Sequence, residues 1–415
     1  MALSRRFLGL IVQNRDPAVK SLFCIDLKRQ QFFNPAATGQ KSEQAPQAAA
    51  TSQPPAGSRE NEHGPAPAAA AAKTMERLRL PSKSYTLRAG TAGVDGERKI
   101  HCFPLADAKV ICADPSGDAF LVDASKDFTG TMPRLHRPKS SPVSVFVPGP
   151  DPDDDPDDLD GEGGGNLYVM ERAPVPEPEA QESDQFEAFV YRKPTTWTSY
   201  SKSWDCQRLP PPPYAREAWG SGRRCPEITS YAVVGGGSHV CMSADGAGTY
   251  CLDTASHTWN QVGRWTLPFS GKVEYVPELK LWFGLSGAEG AQRLAAADLS
   301  AMDSPPQLVG AWKELDAPEE WRECHSCQFV NLGSGSFCVA RFFQDTSGSP
   351  NLDEQDFAVL TGVQKVPRVH DDEYAGGDDD DGGGNGKPGK VELRMVKHNS
   401  RRLDNLNGAT IAAMF

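Results

Sequence analysis

The sequence predicts an all-β chain, a β-propeller of about six blades with long disordered insertions. Three observations carry that prediction. Short segments rich in Val, Ile, Tyr, Phe or Cys recur, bounded by Gly, Pro, Asp or Ser. A unit of strand, turn, strand ending in Asp, and Trp-bearing or apolar strand repeats roughly every 40–50 residues. No long amphipathic helical period interrupts the series.

The chain starts ambiguously. Ser4, Arg5 and Arg6 precede the apolar run Phe7–Val12. One reading is a first strand, turning at Asn14–Pro17 into a second over Leu22–Leu27. The other is a mitochondrial or plastid targeting segment. Residues 5–33 are taken as the first strands of the propeller. Residues 34–78, mostly Ala, Pro, Gln, Ser and Gly, form a disordered linker, because so few apolar side chains cannot offset ordering entropy.

Residues 79–368 form the main body. Its candidate strands run through Lys99–Pro104, Lys109–Ala113, Ala119–Asp123, Val143–Val147, Asn166–Glu171 and Phe186–Tyr191. They continue through the clearest repeat, Tyr231–Val262, and through Val273–Val276, Leu281–Leu285, Arg293–Asp298, Cys327–Asn331, Ser336–Phe342 and Phe357–Val366. In the clearest repeat, Tyr231–Gly237 leads to His239–Ser243, then Thr249–Asp253, then Thr258–Val262. Gly246 and Gly248 suit a tight hairpin, and Asp253, Thr254 and Ser256 suit the side-chain-to-backbone bonds of the next turn. Echoes end at Asp26, Asp123 and Asp298. A disordered acidic loop is expected at 149–165 and a disordered acidic, Gly-rich loop at 369–390. Residues 391–404 read as a closing strand and 405–415 as a C-terminal tail. The ring is expected to close by pairing Phe7–Phe33 with strands near Phe357–His398, covering edges that invite aggregation.

Composition narrows the function classes. The 415 residues include 39 Gly and 34 Pro, so the ordered core is smaller than the length suggests. The formal net charge is −12, but eight carboxylates lie in Asp151–Glu162 and seven in Asp371–Asp381. Outside those solvated runs the balance is slightly positive. No basic stripe with interleaved aromatics marks a nucleic-acid face, and an anionic partner is disfavoured. No apolar run is long enough for a membrane span. Ten cysteines without a regular framework point to a reducing compartment, cytoplasmic or nuclear.

Residues 209–286 carry a resemblance. Leu209–Pro213, Ile228–Val234, Gly248–Asp253, Gly263–Phe269 and Glu274–Ser286 stand in order, followed by Ala297–Leu299 and Asn331–Gly335. Ser4–Phe7 and Phe357–Val363 match at the ends. The chain resembles a plant family, expanded in grasses, known as a domain of unknown function, number 1618 or a close relative. The resemblance implies a kelch-like β-propeller and no activity. Plant kelch-like propellers are often joined to an F-box, but no helical F-box precedes the first strand here, which weakens a ubiquitin-ligase adaptor role.

Candidate sites each have a structural alternative. Cys324 and Cys327 are the candidates for a metal or redox pair. No second such pair completes a zinc set, so the alternative is a loop beside a blade and no metal is expected. Gly235 and Gly236 could belong to a phosphate loop, but no Lys-Ser/Thr follows, and they read as a turn. Cys241 and Cys251 lie within disulfide reach on neighbouring strands and read as buried free thiols. His101, His136, His239 and His257 lack metal spacing. Tyr250, Asp253, Trp259, Trp265, Trp282 and Trp312 read as structural, the tryptophans buried between blades. Leu209–Tyr214 reads as an inter-blade linker. No catalytic residue and no cofactor are expected. The functional expectation is a non-enzymatic, monomeric scaffold for an unknown protein partner, without nucleic acid or membrane. The alternatives are a small-ligand or enzymatic propeller using the central channel, and a ubiquitin-ligase adaptor.

Overall fold

A computed structural model describes residues 5–34, 75–82, 84–90, 98–105, 108–149, 164–178, 182–193, 202–287, 291–346, 356–368, 392–404 and 409–415. The first three strands are β1 (Phe7–Gln13), β2 (Val19–Asp26) and, after the short helix α1 (Leu27–Gln30), β3 (Tyr85–Arg88). Four consecutive meanders follow. The first is β4 (His101–Pro104), β5 (Lys109–Ala113), β6 (Ala119–Asp123) and β7 (Phe128–Met132). The second is β8 (Pro142–Pro148), β9 (Gly165–Glu171), β10 (Ser183–Arg192) and β11 (Ser203–Leu209). Helix α2 (Pro213–Glu217) then leads to β12 (Ile228–Val234), β13 (His239–Ala244), β14 (Gly248–Asp253) and β15 (Trp259–Gly263). The fourth is β16 (Ser270–Val276), β17 (Leu281–Ser286), β18 (Arg293–Ala297) and β19 (Leu308–Trp312). The remaining strands are β20 (Trp321–Gly333), β21 (Ser336–Asp345), β22 (Asp356–Arg368), β23 (Glu392–Leu403) and β24 (Thr410–Met414).

These strands form antiparallel four-stranded sheets, and the architecture is propeller-like. Sheet I has the order β24-β1-β2-β3, sheet II β4 to β7, sheet III β8 to β11 and sheet VI β20 to β23. Sheets IV (β12 to β15) and V (β16 to β19) join through parallel pairing of β12 with β16, at Ser230–Ala232 and Gly271–Val273.

Alternation drives the packing. Successive strand residues face opposite sides of a sheet, and here both sides are apolar. Val143, Val145 and Val147 of sheet III meet Val240, Met242 and Leu252 of sheet IV in one core. Phe103 and Leu121 of sheet II meet Leu167 and Phe189 of sheet III in another. Comparable clusters lie between sheets IV and V, V and VI, VI and I, and I and II. Each sheet is thus covered on both faces by its neighbours.

The repeated Asp has a clear local role. Asp26, Asp123 and Asp253 end the third strand of sheets I, II and IV, and Asp298 follows the third strand of sheet V. Each carboxylate accepts backbone N–H bonds from residues two or three further on. Asp253 accepts from Ala255 at 2.9 Å and Ser256 at 2.7 Å, and Asp123 from Ser125 at 2.9 Å. At Asp123, Asp253 and Asp298 these Asx turns lead into the outer strand, whereas Asp26 caps helix α1. In sheets III and VI the third strands end at Arg192 and Arg368 instead.

Several sequence-based boundaries change. The two chain ends do share a sheet, but β24 is the strand that joins β1, pairing Leu10 with Met414 and Gln13 with Thr410. Residues 405–415 are therefore not a tail throughout. The strands over 356–403 pair with β21 and with each other instead. The outer strand of sheet I is β3, which comes long after Asp26. Ile411, Met414 and Phe415 are apolar enough to be buried, which is why so short a segment holds a strand position. The linker expected over 34–78 ends too late: Leu78 is buried and donates its N–H to Arg402. The loop expected over 149–165 also ends too late, since β9 starts at Gly165. Residues 35–74, 150–163 and 369–390 lie outside the described residues.

The join between β1 and β24 is tight. Gly9 exchanges backbone hydrogen bonds with Phe415 at 2.7 and 3.1 Å, and a Cβ at Gly9 would stand 2.5 Å from the Phe415 ring. Phe415→Ala is expected to destabilise the protein by about 3–5 kcal/mol, as for other buried aromatics. Gly9→Val should act similarly by displacing the ring. Urea unfolding of both variants checks this, and an unchanged midpoint would contradict the join.

Candidate functional site

The first strands β4, β8, β12, β16, β20 and β24 surround one cavity of about 610 Å³. Each contributes to its wall, for example through His101, Ser144, Tyr231, Lys272, Gln328 and Ala413. Lys20, Lys99 and Arg172 also line it. These basic groups come from different sheets. Lys20 starts β2, Lys99 precedes β4, Arg172 follows β9, and Lys272 lies near the start of β16. The lining contains no Asp or Glu among the described residues.

The electrostatics follow from this grouping. Lys20 is 8% exposed, and no described carboxylate pairs with it. Lys99 is exposed and likewise has no described carboxylate partner. Arg172 donates to the Ile228 carbonyl at 3.3 Å. Lys272 pairs with Glu274 at 2.6 Å. His101 is pushed down to about 4, first by burial and then by the Lys20 and Lys99 ammonium groups. Its imidazole is thus neutral at pH 7. Cys102 on the same wall lies 3.8 Å, sulfur to sulfur, from Cys112 across the β4–β5 pair.

The residues singled out from the sequence mostly stand elsewhere. Gly235 and Gly236, with φ of 59° and 64°, form the turn between β12 and β13. Such angles favour glycine. Tyr250 is buried with its ring 5.3 Å from that of Tyr214. Trp259 donates from its indole to the Pro210 carbonyl at 2.8 Å, linking sheet IV to the proline segment after β11. Trp282 donates to Val233 of the preceding sheet at 2.8 Å. Trp265 and Trp312 are only half-buried, against the expectation, and pack against the cores between sheets IV and V and between V and VI.

Cys324 and Cys327 share β20 but enter different cores. Burial pushes both thiols up, so neither favours the thiolate that a metal requires. Cys241 and Cys251 form a disulfide rather than staying free thiols. They are register partners of β13 and β14, with Cα atoms 4.0 Å apart, so the hairpin itself places them together.

A second polar group lies between sheets II and III. His136, Glu187 and Cys206 could offer three metal ligand atoms. The Glu187 carboxylate is already satisfied. It pairs with the buried Lys139 ammonium and accepts from the His136 N–H at 2.8 Å. Lys139 also donates to the Arg137 and Asp184 carbonyls at 2.7 and 2.8 Å. Burial alone would raise Glu187, yet Lys139 overrides it and the carboxyl titrates below its ordinary range. Burial and the Glu187 charge push the Cys206 thiol up. The group is a buried ion pair in which Lys139 supplies the positive charge.

Comparison with known families matches residues 5–403 to the model described as "Protein of unknown function (DUF1668)". The chain belongs to that family. The expected domain of unknown function spanning nearly the whole chain is therefore correct, although the matched number is 1668. No curated protein matches this DUF1668 member. Among solved structures, apo AztD from Citrobacter koseri is similar with TM-score 0.29 and 11% identity, covering 86% of this chain and 92% of that one. Hydrazine synthase from Kuenenia stuttgartiensis has TM-score 0.32 and 10% identity, with 64% and 62% covered. An auxiliary nutrient binding protein from Bacteroides ovatus has TM-score 0.31 and 9% identity, with 62% and 52% covered. The chain thus spans less than two thirds of the last two. Similarities at that level assign neither fold nor function. Among the described residues of this DUF1668 chain, no helix is long and apolar enough to cross a membrane.

Sequence reasoning missed Lys20, Lys99, Arg172 and Lys272. They are scattered in sequence and converge only because several strand starts meet at one cavity.

Two buried lysines make testable statements. Lys139→Met would leave Glu187 uncompensated and cost about 3–5 kcal/mol at pH 7. The loss should shrink as pH falls through the carboxylate range, because the neutral acid tolerates burial. Unfolding curves from pH 3 to 7 check this, and a pH-independent loss would refute it. Lys365 is 2% exposed, and its ammonium lies over the Trp312 ring without a hydrogen-bond partner. The ring face attracts the charged form, but burial dominates and lowers its pKa to about 6. The unfolded side chain titrates near ~10.4. The native state binds fewer protons between these values, so this group lowers stability progressively as pH falls from about 10 toward 6. Lys365→Met should remove that slope and stabilise the neutral-pH protein by about 1–4 kcal/mol, read from urea midpoints. A destabilised variant with an unchanged slope would contradict it.

Proposed function

We propose that the chain is a closed six-bladed propeller of the kelch-like kind, acting as a non-enzymatic binding scaffold. Its binding place is the channel mouth where the first strands begin. The carrying observation is the cavity bounded by all six first strands. Support for closure comes from the apolar cores between successive sheets, including those of sheet I with sheets VI and II. A cavity of about 610 Å³ falls within the range of small-molecule sites. This favours a small ligand inside the channel over a protein segment, while a protein partner would use the surrounding loops. The wall groups support binding more than catalysis. The polar groups are cations, hydroxyls, amides and the Cys102 and Cys327 thiols, and the neutral His101 has no lining carboxylate to work with. The plant kelch-like relationship belongs to the same proposal. A ligase-adaptor role does not, because no described feature favours it.

Full-length protein, captured with its ligands from plant leaf extract, tests the proposal. Bound small molecules and proteins are identified by mass spectrometry. A specific species should be recovered with the wild type and lost with Ser144→Trp, which places an indole in the channel wall. Equal recovery by a folded Ser144→Trp variant would overturn the channel reading.

A further inference from the structure

We infer that the channel mouth binds a small organic anion with more than one negative charge, a phosphate- or carboxylate-bearing metabolite held by Lys20, Lys99, Arg172 and Lys272. This rests on the channel reading above and names the ligand class for that site.

Lys20 is the strongest observation. Its side chain lines the cavity while the residue is 8% exposed, and no described carboxylate or hydrogen-bond acceptor partners its ammonium. Holding a charge away from water is costly unless an opposite charge or good hydrogen bonds compensate. An anion in the cavity would supply that compensation. The other cations reinforce the sign. Lys99 has no described carboxylate partner, and Arg172 spends a donor on the neutral Ile228 carbonyl. Lys272 alone is paired, and its partner Glu274 also accepts from the Asn331 N–H at 3.2 Å. A concave site lined by one sign of charge focuses its field on the ligand. Gln292, Gln328 and Ser144 add neutral polar groups around the cations.

The cavity holds more than a single phosphate, so an organic body beyond the charged group is expected. Arg172 suits planar, two-point recognition of carboxylate or phosphate, whereas the lysines act as point charges.

The test is calorimetric titration of the full chain with pyrophosphate and with citrate at low salt, with putrescine as the cationic control. At least one anion should bind with one-to-one stoichiometry and Kd below about 1 mM. Preference between the two distinguishes a phosphate-bearing from a carboxylate-bearing ligand. Lys20→Met and the exposed pair Lys99→Gln with Lys272→Gln should each weaken binding about tenfold, the loss expected for a charge-assisted hydrogen bond. Lys28→Gln, on helix α1, should leave it unchanged. If Lys20→Met fails to fold, the exposed pair still decides. Failure of both anions to bind, equal binding of putrescine, or binding unaffected by the exposed pair would overturn the inference. Those results would leave the channel reading standing if Ser144→Trp still abolished capture of a neutral ligand.

Discussion

A β-sheet with two apolar faces needs a neighbour on each side, and every sheet described here has two apolar faces. Sheet III shows this well: Val143, Val145 and Tyr168 serve the core toward sheet IV, while Leu167, Val169 and Phe189 serve the core toward sheet II. Neighbouring residues on one strand are thus committed to different cores. The requirement passes from sheet to sheet along the chain. It leaves sheet I with the hardest task, because its strands come from both chain ends. The β1–β24 pairing and the buried Phe415 let sheet I cover both sheet VI and sheet II.

The cavity is a consequence of the same constraint. The first strands meet at the cavity, where Lys99 and Lys272 beside two of their starts are joined by Lys20 of β2 and Arg172 after β9. Lys20, Lys99, Arg172 and Lys272 are surface-type residues in any single sheet. Assembled, they share a confined space with Lys20 nearly buried. Burial first, and then Lys20 and Lys99, keep His101 neutral beside them. The long insertions join at the other strand ends. Residues 35–74 follow sheet I beyond β2, the first acidic run follows β8, and the second follows β22. Lys20, Lys99 and Lys272 stand instead beside strand starts.

Much of this architecture is legible without coordinates, for local reasons. Asp26, Asp123, Asp253 and Asp298 mark third-strand ends because a short carboxylate can accept two nearby N–H groups in a turn. Gly235 and Gly236 mark a turn because their φ angles suit glycine. The repeat around Tyr231–Val262 is readable because its turns are short. Less legible are Thr410–Met414, whose five residues carry no strand signal stronger than Ile411, and Tyr85–Arg88, isolated after a long insertion. Cys241 and Cys251 illustrate another gap: their proximity is local, but the bond between them depends on precise register.

The sequence by itself determined the all-β class, the four-strand repeat and its turns, and the location of the acidic charge. These depend on residues within a few positions of one another, where side-chain alternation and turn chemistry act directly. Tertiary structure alone decided which terminal segment completes sheet I, which polar groups become a buried ion pair, and which cations share a cavity. Each of those outcomes joins residues remote in sequence. Lys139 meets Glu187 across the entry to sheet III, and Lys20 meets Lys272 only after several sheets have packed in order. Their energies depend on desolvation and distance, and neither exists until the sheets are assembled.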